Sequence, residues 1–447
     1  MDSVFQAAVR FISSARYEGL PALIVNKAKI CMLDTFAAAV LGRQCQATQV
    51  VKTTALAALS GVAPDATIWF EPYQEPVACA IFINATAASA ADIDDGLDLN
   101  RGHAGSTIIP AVLAVCESNR CSLKKALAAV AVGYELMFVA SEALLPYGGE
   151  GYPIDHGSGS LGAVAVAGAL SNLLGEEERC IAESLRVSQA YMPGGNNDRA
   201  VESGAMTKEN INWGALTGYF AFRLAQNGYT GQTSVLEKLP WSGNLLQHLS
   251  PDFSALERTY IKRYASCRFT HWPIEALLKL QAREHFHIDQ VDRVTVYTFR
   301  SGTMLKLTEA PGVEGIQYSI PLCLAIVAKY GEVNKPEKLM EWACDPEVRR
   351  LSERVSLKWD RRFERKGDEG EGCKVEIRLK NGSRHTAVCS SLLGDRRHPF
   401  GFNEVAKKFL DNCSGYLDHA RILELIDCVQ DVENRSIERL LSLVRRD

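Results

Sequence analysis

Lys374-Val375-Glu376-Ile377-Arg378-Leu379-Lys380-Asn381-Gly382-Ser383-Arg384-His385-Thr386-Ala387-Val388-Cys389 is the stretch that separates a purely helical chain from a mixed one. Lys374 to Leu379 and His385 to Cys389 read as two strands flanking Asn381-Gly382. Asn and Gly tolerate the positive φ of a two-residue hairpin turn, so a β-hairpin is expected. Upstream, Gln290 to Phe299 places Val and Thr on one phase of an alternating pattern, which predicts a third strand. Val355 to Trp359 is a weaker fourth. Helical patterns at Ile274 to Glu284 and Tyr318 to Tyr330 lie between them. Residues 268–396 therefore read as a smaller α+β domain. Within it, Lys366 to Gly372 is charged and Gly-rich, the composition of a loop.

On either side the period changes to that of helices. Leu23 to Leu41, Leu123 to Leu144, Ser160 to Leu174, Glu177 to Met192 and Trp213 to Gln226 are apolar patterns closed near Gly or Pro. Alanine is dense in them, and small side chains let helices approach closely. After Asn403 the chain is helical again to Val444. The expected fold class is mainly α. A large all-helical domain is formed by N- and C-terminal segments, residues 1–267 and 397–447, and the α+β domain is inserted between them.

Composition sets limits on function. The chain has 447 residues, 47% apolar and 23% charged, with a net charge of −4. It carries no global basic field that would draw in nucleic acid or an anionic membrane. Its 13 cysteines include no C-x-x-C pair, which fits a reducing, cytoplasmic location. Met1 to Phe5 does not read as a signal peptide. Val77 to Ala91 is too short and too rich in small residues to span a bilayer. No H-E-x-x-H and no zinc spacing of Cys and His occurs, so no metal ligand set is expected.

The chemistry-bearing segment is Asp92-Ile93-Asp94-Asp95-Gly96-Leu97-Asp98-Leu99-Asn100-Arg101-Gly102-His103. A solvated loop is the ordinary reading of four carboxylates in seven residues. An EF-hand loop fails, because Gly96 falls at position five and His103 stands where the closing Glu belongs. A diphosphate–Mg²⁺ motif at Asp94-Asp95-x-x-Asp98 lacks a good second acidic motif, Asn196-Asn197-Asp198 being a poor one. His103 precedes a helix whose free N–H groups can hold an anion. A histidine there is placed to act as acid or base. Gly157-Ser158-Gly159-Ser160-Leu161-Gly162 imitates a dinucleotide fingerprint, but the Gly- and Pro-rich run before it is no strand. Close helix packing is the expected use of those glycines. Arg268, Thr270 and His271 cluster at the junction of the two expected domains, where ligands commonly bind. Arg is suited to gripping a carboxylate.

Taken in order along the chain, these features resemble the MmgE/PrpD family. The carriers are Asp92-x-Asp94-Asp95 with Gly102-His103, Gly159-x-Leu161-Gly162, Lys208, Asn227-Gly228-Tyr229-Thr230-Gly231, Cys267-Arg268-Phe269-Thr270-His271, Gln317-Tyr318-Ser319 and Lys407-Lys408-Phe409. The resemblance implies a helical domain with an α+β lid, no metal or organic cofactor, and a homodimer. It implies lyase chemistry, dehydration or decarboxylation, on a small di- or tricarboxylic acid, with epimerisation of a dicarboxylate as the alternative. The implied pocket holds Asp92, His103, Lys208, Lys262, His271 and Tyr318, and chemistry adds Arg268. His103 would be the acid/base, Asp92 its support and Tyr318 a second donor. The lysines, Arg268 and His271 would hold carboxylates. Where many members place an aromatic-His-Pro motif, this chain has Tyr152-Pro153, with His156 the only nearby imidazole and a further candidate for substrate binding. Ala104 stands where the family has Pro. The Asp95–His103 spacing resembles the epimerase-like branch, which argues against methylcitrate and cis-aconitate. A member that had lost catalysis would have no chemical need for His103, Lys208, His271 and Tyr318.

Overall fold

In a computed structural model the described residues are 3–61, 63–97, 102–144, 157–194, 197–238, 249–310, 312–365 and 371–445. The fold is mainly α, with a smaller α+β region, as the sequence periodicities predict. Six helices frame the site: α1 (Ala22–Gly42), α2 (Val77–Ala90), α3 (Ala104–Ser118), α4 (Leu123–Leu144), α5 (Ser158–Leu174) and α6 (Ile211–Gln226). α2 is apolar on all sides and is accordingly buried on all sides. Its one amide, Asn84, is there to serve a neighbouring extended segment. It donates to Thr67 O and accepts from Trp69 N, both at 2.9 Å. α4 is long and apolar enough to cross a membrane, and 94% of its apolar window is buried inside the fold.

The glycines of the false dinucleotide fingerprint do serve helix packing. A Cβ on Gly159 of α5 would stand 1.9 Å from Asn210 O, and one on Gly214 of α6 would stand 2.1 Å from Gly159 O. α5 and α6 therefore touch backbone to backbone, and this contact seats the N-terminus of α5 beside the turn at residues 208–210.

Two short strands, β1 (Gly96–Leu97) and β2 (Thr259–Tyr260), pair antiparallel, Gly96 opposite Tyr260. Beyond them α7 (Arg268–Glu284) opens the mixed region. It begins six residues before the expected Ile274, because its first turn carries buried polar residues in place of an apolar stripe. The strands β3 (Val291–Thr298), β4 (Val355–Trp359), β5 (Cys373–Leu379) and β6 (Arg384–Cys389) form one sheet in the order β4-β3-β5-β6. β3 and β4 are parallel and the other pairs antiparallel. The parallel pair requires a long crossover, and α8 (Ile320–Tyr330) lies in it. Cys373, Val375 and Ile377 alternate inward from β5. The hairpin differs from expectation by one residue. Leu379 pairs with Ser383, leaving three residues in the turn, and only Gly382 takes a positive φ, of 87°. Asn381 keeps a negative φ and uses its side chain to accept from Ser383 N at 2.9 Å.

The helices after this region, Phe402–Cys413, His419–Gln430 and Ile437–Val444, return to the first core. Val405, Phe409, Leu425 and Leu440 pack in the same apolar cluster as Ile24, Phe36 and Leu113. Trp272, Val294, Ile326 and Ile377 form a separate one. Buried Lys408 ties the returning segment to α1 by an ion pair to Asp34 Oδ1 at 2.6 Å.

Glu135 of α4 holds the segment that leads into β2, accepting from Ala255 N at 2.8 Å and Leu256 N at 3.0 Å. Burial pushes its carboxyl up to about 8, against the pull of those two donors. The folded chain thus keeps a proton that the unfolded chain loses near 4.5. The corresponding stability is fully present below that value and is lost as pH rises towards the folded one. We expect wild-type stability to carry a falling component of about 1.4 kcal/mol per pH unit across that window. Glu135→Gln should remove it, as read by urea unfolding at a series of pH values. Equal slopes in the two proteins would assign the effect to another group.

Candidate active site

The acidic segment does not form a solvated loop. Asp92, Asp94 and Asp95 are all at most 2% exposed, and each meets a different partner. Burying a charge is costly unless it is paired, so these partners define the site. Asp98 lies outside the described residues.

Asp92 follows the end of α2 with a φ of 54°. Its Oδ1 lies 3.1 Å from Lys262 Nζ, which also donates to the Asp92 carbonyl at 3.1 Å. The β1–β2 pairing brings the two segments together, since Lys262 follows β2 by two residues. The Lys262 ammonium is destabilised by burial, but the carboxylates of Asp92 and Asp94 outweigh this and hold its pKa above the usual value. Asp95 caps α3, accepting from Gly105 N at 2.9 Å and from the Tyr134 hydroxyl at 2.5 Å. It fixes the helix that His103 begins.

His103 is the N-cap of α3. Its backbone N–H donates to Ser158 Oγ at 3.0 Å. Nδ1 stands 2.7 Å from the Asp95 carbonyl and 3.3 Å from Asp94 Oδ2. A carbonyl only accepts, so Nδ1 carries the hydrogen and the neutral ring keeps its lone pair on Nε2. Burial opposes a charge on the ring, and Lys262 opposes it too, but Asp94 prevails and the His103 pKa is raised. The carboxylate beside the imidazole is therefore Asp94, while Asp92, the support expected from the sequence, belongs to Lys262.

Glu209 joins the elements and was missed in the sequence. Its φ is 61°, a strained value for a side-chain-bearing residue. Oε2 accepts from Ser158 N at 3.0 Å and Ser158 Oγ at 2.6 Å, at the N-terminus of α5. Oε1 accepts from the Tyr318 hydroxyl at 3.3 Å. The signal available in the sequence is a carboxylate next to the candidate Lys208. The Lys208 side chain and all of His156 lie outside the described residues.

His103, Ser158, Glu209, Lys262, Arg268 and Tyr318 line one cavity of about 390 Å³. Phe269, Met304 and Leu305 close it from the α+β side. Arg268 reaches it with part of its guanidinium already committed. Nη2 lies 2.9 Å from Asp395 Oδ1, and the group stacks 4.1 Å above the Tyr260 ring. His271 is not on the cavity wall. It is buried, with Nε2 3.2 Å from Ser266 O and its ring edge-on to Tyr264. Burial, reinforced by Lys262, lowers its pKa to about 3, so it stays neutral. Among the described residues no group of three or more His, Cys, Asp or Glu side chains is arranged to hold a metal ion. The cavity thus presents a basic imidazole nitrogen beside a fixed ammonium and a guanidinium.

Comparison with known proteins matches nearly the whole chain. The MmgE/PrpD N-terminal domain matches residues 6–252 and the MmgE/PrpD C-terminal domain matches residues 264–432. A cis-aconitate decarboxylase of Aspergillus terreus is 24% identical over 477 residues, spanning 97% of this chain and 94% of the relative. A second, from Aspergillus terreus strain NIH 2624 / FGSC A1156, is 24% identical over 480 residues with the same coverage.

Proposed function

The chain belongs to the MmgE/PrpD family, and on that premise we propose that it is a lyase acting on a small di- or tricarboxylic acid. His103 Nε2 abstracts the proton from the carbon next to a carboxylate. Decarboxylation would use the same group in the opposite sense, returning a proton to carbon. Both routes pass through an enolate-like species whose charge must be met by fixed donors. Lys262 is protonated, buried and preorganised for this, and Arg268 and Tyr318 stand on the same wall. No step of this sequence requires a metal or organic cofactor.

The observation that carries the reading is the ring of His103. Its tautomer is set by the Asp95 carbonyl, and it lines a cavity that also holds Lys262 and Arg268. The relatives named for cis-aconitate support the substrate class, and the family supports the lyase type. A dicarboxylate epimerase would need the same first step, and the spacing between Asp95 and His103 keeps it as the second reading.

The test is incubation with a panel of di- and tricarboxylates, cis-aconitate among them, in D₂O with EDTA present, read by NMR. Loss of CO₂ or water from one compound supports the lyase. Deuterium exchange at a stereocentre without elimination selects the epimerase. The absence of exchange and turnover across the whole panel would overturn both.

A further inference from the structure

A second cavity, of about 250 Å³, lies on the other side of the wall that carries His103. Val50, Phe82 and Trp213 make its sides apolar, and Asp92 and Asp94 stand in its lining. Asp94 does not line the substrate cavity, and His103 does not line the second one. The Asp94 carboxylate is 1% exposed. Apart from the 3.3 Å approach of His103 Nδ1, neither of its oxygens has a hydrogen-bond donor among the described residues. A buried carboxylate in that condition requires a compensating environment. Two sources are at hand: the imidazole on one side and the second cavity on the other.

We infer that Asp94 is the positioning residue of His103, and that the second cavity is its solvent side, wide enough to admit a small carboxylate when Asp94 is removed. The inference rests on the reading of His103 as the acid/base. Asp94 does not touch the substrate cavity. It acts through the ring, holding Nδ1–H towards itself and the Asp95 carbonyl so that Nε2 stays the basic atom. It also favours the imidazolium that forms when Nε2 takes a proton. Full transfer of the Nδ1 proton to Asp94 is disfavoured, because it would set a nitrogen lone pair against the Asp95 carbonyl oxygen at 2.7 Å.

Other charges act on the pair from every side. Lys262, following β2, opposes the charge on His103, and Glu209, at the turn before α6, favours it. Asp92 raises the proton affinity of Asp94 and Lys262 lowers it. Asp34 of α1 and Asp95 are further carboxylates in electrostatic contact with Asp94. The shift is therefore a net one, and removing Asp94 should be the change that moves His103 most.

The test needs no substrate, so its failure is separate from any failure of the proposed activity. Diethyl pyrocarbonate acylates neutral imidazole, and the pH dependence of His103 acylation, followed by peptide mass spectrometry, gives its titration midpoint. In Asp94→Asn the midpoint should fall, so that His103 reacts severalfold faster than in the wild type at pH 6. In Asp94→Gly, sodium formate should return the rate towards the wild-type value. Adding Val50→Trp at the mouth of the second cavity should abolish that effect of formate. An unmoved midpoint in Asp94→Asn overturns the positioning role. Formate that has no effect in Asp94→Gly, or acts equally with Val50→Trp present, overturns the role of the second cavity. If the Asp94 variants do not fold, ¹⁵N imidazole shifts of the wild-type protein decide the positioning role, His103→Gln supplying the assignment. A titration midpoint of those shifts above that of a free histidine supports it, and one at or below it overturns it.

Discussion

His103→Gln is expected to lower turnover of the accepted carboxylate by about 10²–10⁴-fold, the usual contribution of a positioned acid/base, with the fold intact. The fold should survive because the backbone bonds of His103 remain and the Gln amide offers donors to Asp94 and the Asp95 carbonyl in place of Nδ1–H. The backbone N–H of His103 binds Ser158 Oγ and its carbonyl accepts from Thr107 Oγ1 at 2.8 Å. The wild-type pH profile should carry a second mark. A step that needs neutral Nε2 rises with pH through the His103 pKa, which Asp94 holds above 6.5 against burial. The acid limb of kcat/KM should therefore lie above that value and vanish in the variant. Near-normal turnover by a folded His103→Gln protein would remove His103 from the mechanism.

The second large effect is expected at Lys262. Lys262→Met strips the counter-charge from Asp92, which is 2% exposed. Breaking a buried pair by removing one partner costs about 3–5 kcal/mol, because the other charge is left uncompensated. The double variant Asp92→Asn/Lys262→Met should recover most of that stability in urea unfolding while remaining inactive, since the fixed ammonium beside His103 is gone. A double variant as unstable as the single one would show that the loss arises from packing of the lysine stem. Activity in the double variant would show that Lys262 has no part in charge stabilisation.

These two residues show how far the sequence could be read. Helix α4 and strand β4 were legible to the residue, because each is governed by a local apolar period. The apolar pattern puts Tyr318 inside a helix that in fact begins at Ile320, after the Ser319 cap. The same apolar run follows either boundary, so periodicity alone could not fix the start. His103 and Lys262 were legible as chemical types, and the structure sets them on one wall. What the sequence could not supply was pairing. Asp92 and Lys262 are 170 residues apart, and only the register of β1 against β2 decides that this carboxylate meets the lysine and the next one meets the imidazole. Asp94 and Asp92 are chemically identical in a string of letters. Glu209 was hidden for a similar reason. Its place depends on a left-handed backbone turn, and nothing in Lys208-Glu209-Asn210 requires one.

The tie between Lys408 and Asp34 bears on how the protein is made. Asp34 is fully buried in the finished fold, and its counter-ion is encoded 374 residues downstream. During synthesis the helices of the first core leave the ribosome long before the segment that neutralises Asp34 and completes their apolar surface. The inserted sheet region has its own apolar cluster, so it can fold while the helical layer still waits for its last three helices. A nascent chain stalled before Phe402 would expose the groove those helices fill, and such exposed apolar surface is what chaperones bind and what aggregates.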